Sequence, residues 1–171
     1  MKIYPKNKEH FKKLIPFAKE IISICNNNKI IPVIYGSFSH FYHTKDENMK
    51  VNDIDILIKK RYFPKICKIL EKNNIKFKYY PKWGTCIIKK GKLKVEIDEV
   101  GTGYKTIKEN TISKRKKINF YGTKVKSLNL KDLEEMYPIA YKRSRDDKAR
   151  IKKKIKHLEK FLGRKLKWNH K

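Results

Sequence analysis

Two aspartates alternate with isoleucines in "VNDIDILI" (51–58). A strand repeats every second residue, so Asp53 and Asp55 share one face and Ile54, Ile56 and Ile58 the other. The isoleucines mark a buried side. The carboxylates need a partner, because like charges at this spacing repel unless a cation or proton lies between them. Mg²⁺ suits such a pair: it takes oxygen ligands and keeps waters and phosphate oxygens in its remaining positions. Downstream, "KLKVEIDEV" (92–100) places Glu96 and Asp98 on one strand face, opposite Val95 and Ile97. Asp53 and Asp55 are therefore candidate catalytic and metal ligands, with Glu96 and Asp98 as alternatives for a third carboxylate. The plainer alternative is a solvent-facing strand whose acids pair with lysines.

Upstream, "IIPVIYGS" (30–37) is apolar and ends in Gly36-Ser37. Backbone amides at a strand-to-helix turn form an anion site, and glycine lets a phosphate approach closely. A strand ending in GS, a short helix, then a strand carrying alternate aspartates is a more specific order than either piece alone.

The elements that must position these groups are legible. Apolar spacing predicts a helix over 8–26, a strand over 30–37 and a short helix at "FSHFYH". A strand over 51–60 and a helix over 63–74, with Pro64 in its first turn, follow. Strands are expected over 75–80 and 84–100, the latter folded into a hairpin at Gly91, and a second hairpin over 117–128 turns at Gly122. From Asn129 the pattern is helical, with a break near Pro138 or around Ser144 and a C-cap at Gly163. The tail "RKLKWNHK" reads as frayed. The isoleucines of the Asp-bearing strand face a core, so the acids face outward or into a cleft.

At this point the sequence resembles the nucleotidyltransferase superfamily typified by DNA polymerase beta and the minimal nucleotidyltransferases. The matching segments are "YGS" (35–37), "DIDILI" (53–58) and "VEID" (95–98). "VKSLNLKDLEEMYPIAYKRSRDDKARIKKKIKHL" is similar to the helical segment of abortive-infection-type toxin nucleotidyltransferases. The resemblance implies an α+β fold: a mixed sheet with flanking helices, a catalytic domain over 1–128 and a helical segment over 129–171 packed on it. It implies a transferase that moves a nucleoside monophosphate from an NTP to a hydroxyl of RNA, tRNA or protein, releasing pyrophosphate. Two Mg²⁺ ions, replaceable by Mn²⁺, would lie between Asp53, Asp55 and Glu96 or Asp98. Gly36 and Ser37 would hold phosphates, and Lys142 would neutralise the leaving group. An antitoxin partner is a further implication. Three departures stand out, the first being a longer gap between Ser37 and Asp53 than the compact members show. Phe38 replaces the basic residue that often follows GS, and the paired arginines of template-directed polymerases are absent.

Lys142 and Asp146 stand one helical turn apart and are expected to share a face, or to form a surface ion pair. His40 and His43 near the GS turn, and "YYPKW" (79–83), are expected to pack rather than to bind substrate.

Composition bounds the rest. The 171 residues carry 45 Lys and Arg against 17 acids, a formal net charge of +28. That favours a polyanionic partner, RNA or DNA, although an AT-rich codon bias toward lysine contributes. A catalytically idle fold that binds nucleic acid through this charge is the competing expectation. Three cysteines without a CxxC pair argue against a zinc site or disulfide framework. No apolar run is long enough for a membrane span, and "MKIYPKNKEHFKK" lacks the apolar core of a secretion signal, so a cytoplasmic protein is expected.

Overall fold

A computed structural model describes residues 3–102 and 107–168. The chain runs α1 (Lys8–Asn27), β1 (Val33–Tyr35), α2 (Gly36–Thr44), β2 (Ile54–Ile58), α3 (Phe63–Lys72), β3 (Phe77–Tyr80), β4 (Thr85–Lys90) and β5 (Leu93–Glu99). It continues through α4 (Glu109–Ser113), β6 (Lys117–Phe120), β7 (Thr123–Ser127), α5 (Leu130–Arg143) and α6 (Lys148–Leu162). The strands form one mixed seven-stranded sheet in the order β3-β4-β5-β2-β1-β7-β6. This is the α+β architecture expected. The β2–β5 and β1–β7 pairs are parallel, and the remaining pairs are antiparallel.

Strand alternation divides the core in two. Ile34, Ile54, Ile56, Ile58, Val95 and Ile97 face α1, α2 and α3, whose Phe11, Ala18, Phe38, Phe41, Ile66 and Leu70 complete that cluster. Each fully buried isoleucine there contributes about 2 kcal/mol. On the other side, Val33, Tyr35 and Leu57 pack against Leu133, Met136 and Tyr137 of α5 and Ile151, Ile155 and Leu158 of α6. The odd-numbered positions of β2 therefore face α5 and α6, and Asp55 is one of them.

Several boundaries differ from the sequence reading. The first strand spans only Val33–Tyr35, because Gly36 at φ +67° turns the chain directly into α2. The C-terminal helices separate at Ser144, not at Pro138, which lies inside α5. Asn129 caps α5 in a reciprocal box with Asp132, and Arg115 pairs with Asp132, its Nη2 donating to Oδ1 at 2.8 Å. The segment after Gly163 is docked rather than frayed up to Trp168. Leu166 and Trp168 are buried, and Trp168 Nε1 donates to Glu159 Oε1 at 3.1 Å. Residues 169–171 lie outside the described residues. All three cysteines are free thiols. No helix among the described residues is long and apolar enough to cross a membrane.

Candidate active site

The acids converge because of strand register. β2 and β5 run parallel with Asp55 opposite Glu96, so those two side chains leave the same face side by side. Asp53, two residues before Asp55, emerges on that face just ahead of β2. One carboxylate oxygen from each of Asp53, Asp55 and Glu96 lies within 4.8 Å of the other two.

Asp98 is not in that group. It sits one step further along β5, opposite Leu57, and is 1% exposed. Tyr35 Oη donates to its Oδ2 and Thr85 Oγ1 to its Oδ1, both at 2.5 Å. Asp98 thereby ties β1, β4 and β5 together. The two alternatives for a third carboxylate are thus separated in space, with Glu96 beside the aspartates.

Gly36 explains how Asp55 fits. A Cβ built on Gly36 would lie 2.0 Å from Asp55 Oδ2, and its backbone is left-handed at φ +67°. The carboxylate occupies the space a side chain would fill. The neighbouring Ser37 is buried in the first turn of α2. Burial pushes the Asp55 carboxyl well above the ordinary range, and the charges of Asp53 and Glu96 push it the same way. Such a donor set, three oxygens with an excess of negative charge, fits a divalent cation. Lys94 already touches it: Nζ lies 2.7 Å from Asp53 Oδ2 and 2.6 Å from Glu96 Oε1. Burial works against the Lys94 ammonium, but the hydrogen bonds and charges of the two carboxylates outweigh it and raise its pKa.

These groups line a cavity of about 560 Å³, roofed by α5 and α6. Its wall also carries Gly36, Tyr137, Arg143, Arg145, Asp146, Arg150 and Lys154, with Lys82 and Trp83 at one side. Arg150 and Lys154 stand one turn apart on α6, beside its apolar stripe of Ile151 and Ile155. Burial lowers the Lys154 pKa, and the opposing charge of Asp55 limits the fall. An acidic floor therefore faces a roof whose four basic groups outnumber Asp146 and Asp147, with the Arg150 guanidinium paired to Asp147 Oδ2 at 2.8 Å.

Lys142, expected at the phosphates, is exposed and not among the lining residues. The pairing expected for Lys142 and Asp146 fails because α5 ends at Arg143, so no helical face carries both. Arg150 and Lys154 were hidden in "KARIKKKIK", which reads as a solvated basic run. Their signal was the four-residue spacing next to isoleucines.

His40 and His43 are packing residues, as expected. His40 is fully buried, with Nδ1 3.3 Å from Tyr137 Oη and Nε2 2.9 Å from His157 Nδ1. His157 Nε2 meets Asp46 Oδ2 at 2.5 Å, and His43 contacts the Leu128 carbonyl at 2.8 Å. This chain of contacts joins α2, α5 and α6 behind the site. Tyr79 packs on Phe63 of α3, with ring centroids 5.5 Å apart, whereas Trp83 is 51% exposed at the cavity.

A scan against protein-family models finds no match, and none is found among curated proteins. Solved structures do match. ANT(2")-Ia in complex with adenylyl-2"-tobramycin superposes with a TM-score of 0.61 at 11% identity, covering 87% of this chain and 89% of that one. The chain has the nucleotidyltransferase fold. The lincomycin-bound lincosamide antibiotic adenylyltransferase LnuA matches at TM-score 0.54 and 12% identity, over 82% of this chain and 95% of that one. An antigenic nucleotidyltransferase-like protein from Paracoccidioides brasiliensis matches at 0.56 and 15%, over 90% and 77%. At these identities the likeness is one of fold. Within the nucleotidyltransferase fold, the acids, the Gly36 turn and the cavity form the candidate active site.

Proposed function

We propose that the protein is a divalent-metal-dependent nucleotidyltransferase that moves a nucleoside monophosphate from an NTP to an acceptor hydroxyl. The observation that carries this is the convergence of Asp53, Asp55 and Glu96 on the floor of a cavity with a cationic roof. In this reading these three carboxylates hold Mg²⁺ or Mn²⁺. When bound, the metal draws charge from the transferring phosphoryl group and the attacking hydroxyl. Gly36 and Ser37 turn backbone amides at the N-terminus of α2 toward the triphosphate. Arg150 and Lys154 offset the charge that builds on pyrophosphate as it leaves; this role passes to them from Lys142. Asp98 holds three strands in place rather than touching substrate. The helical segment from residue 129 onward supplies the roof.

The acceptor is proposed to be RNA or a protein hydroxyl, as the resemblance to the toxin branch implies. The net charge of +28 and the basic roof favour RNA. The antitoxin partner belongs to the same proposal. Purified protein with Mg²⁺ and each of the four α-labelled NTPs, offered total RNA and cell lysate, should label a macromolecule. Asp53→Asn with Asp55→Asn should abolish the signal. Equal labelling by that double variant would refute the site. Labelling of an antibiotic, as LnuA's name describes for that protein, in place of macromolecules would overturn the acceptor.

A second reading has one observation in its favour: the Lys94 ammonium bridges Asp53 and Glu96, as in an idle fold kept for nucleic-acid binding. It predicts steeply salt-dependent RNA binding that needs no metal.

A further inference from the structure

Lys94 stands two residues before Glu96 on β5, so both side chains leave the same face of the sheet. Its Nζ is within 2.7 Å of Asp53 Oδ2 and 2.6 Å of Glu96 Oε1, spanning the gap between the end of the loop before β2 and the middle of β5. The lysine side chain is 30% exposed, against 10% for Asp53 and 19% for Glu96, so the ammonium covers these carboxylates from the cavity side. Asp55 takes part in neither contact. Its Oδ2 is turned to the space above Gly36. The three acids are thus divided: Asp53 and Glu96 are bridged by a lysine at ion-pair distance, whereas Asp55 has its opposing cation, Lys154, across the cavity.

A carboxylate oxygen that holds the ammonium is a poorer ligand for a divalent cation, because the two positive charges repel at contact distance and compete for its lone pairs. We propose that Lys94 is a resident counter-cation: it fills the Asp53–Glu96 half of the acidic group, so that one divalent cation binds between Asp53 and Asp55, and a second binds only where the ammonium has been removed. The inference rests on the metal-site reading above, and it changes the expected stoichiometry from two ions to one. It also assigns Lys94 a role in charge balance. A fixed single charge stands where a second ion would place two, and the metal-free cavity is not left with three uncompensated carboxylates.

The test counts Mn²⁺ by the loss of its free-ion paramagnetic resonance signal on titration into wild type, Lys94→Met, Lys94→Gln and Lys154→Met. Wild type should bind one Mn²⁺. Both Lys94 variants should bind two, and Mn²⁺ should raise their melting temperatures more than it raises that of wild type. Lys154→Met removes a cation from the opposite wall and should still bind one, which separates occupancy of the acids from the general field of the cavity. Two ions on wild type, one ion on the Lys94 variants, or a second ion on Lys154→Met would each overturn the inference while leaving the metal site standing. Absence of Mn²⁺ binding in every protein would overturn the metal site itself, and the Lys94 inference with it.

Discussion

Gly36→Ala is the sharpest perturbation of the site, because a single methyl group must compete with Asp55 for one space. The backbone cost comes first: φ of +67° is left-handed, and an alanine there loses about 1–2 kcal/mol. The clash is larger in consequence. The new Cβ would sit 2.0 Å from Asp55 Oδ2. Ordinary contact needs a separation of about 3.4 Å, so the carboxylate must withdraw by more than ~1 Å. Asp55 cannot withdraw by moving its backbone, because β2 is held between β1 and β5, opposite Tyr35 and Glu96. Its side chain must rotate instead, out of the group it forms with Asp53 and Glu96. A misplacement of ~1 Å in a catalytic group costs on the order of 100-fold in rate. The assay is nucleotide transfer and Mn²⁺ affinity for Gly36→Ala beside Gly91→Ala. Gly91 is also left-handed, at φ +59°, but a Cβ there meets nothing within 4 Å. Both variants should melt about 3–6 °C lower, from the backbone term alone. Only Gly36→Ala should lose transfer and weaken Mn²⁺ binding. Activity within about threefold of wild type in Gly36→Ala would refute the placement of Asp55 in the reacting group.

Three further outcomes follow from the same geometry. Asp53→Asn should weaken Mn²⁺ binding about tenfold or more, whereas Asp98→Asn should leave it nearly unchanged and lower the melting temperature, since Asp98 is engaged by Tyr35 and Thr85; the reverse pattern in titration calorimetry would place Asp98 rather than Asp53 at the ion. Burial, then the electrostatic influence of His157, pushes the pKa of His40 down to about 3 from 6.5, so the unfolded chain binds a proton that the folded one refuses. That contribution is complete above pH 6.5 and is lost as pH falls toward 3, about 2 kcal/mol of it by pH 5; urea unfolding should show the loss in wild type and a flatter profile in His40→Gln, and identical profiles would disprove it. Asn129→Ala should remove the cap of α5 at a cost of about 1 kcal/mol, read as a melting shift of ~2–4 °C with transfer retained.

Much of the site was readable because strand alternation is local. The period-two spacing of "DIDILI" and "VEID" put Asp53, Asp55, Glu96 and Asp98 on one face, opposite the isoleucines, with no tertiary information. The glycine before a short helix marked the turn that makes room for Asp55. The same locality set the limit. Glu96 and Asp98 have the same parity, and only the pairing of β5 with β2 decides that Glu96 lies opposite Asp55 while Asp98 lies opposite Leu57. Lys94 shares that parity too, yet its bridge to Asp53 exists only because a residue 41 positions earlier in the chain is brought beside it.

The roof was the least legible part. Lys142, Arg150 and Lys154 look alike in a lysine-rich helical segment, because charge composition carries no direction. Which of them meets the acids depends on where α5 stops and how α6 crosses the sheet. The break at Ser144 and the burial of Ile151 and Ile155 in the cluster that holds Leu57 and Tyr35 bring Arg150 and Lys154 to the cavity. By itself, then, the sequence determined which residues could act together on each element, since that follows from 3.6-residue and two-residue periods. The tertiary structure alone decided which elements meet, since that follows from register and packing between segments far apart in the chain.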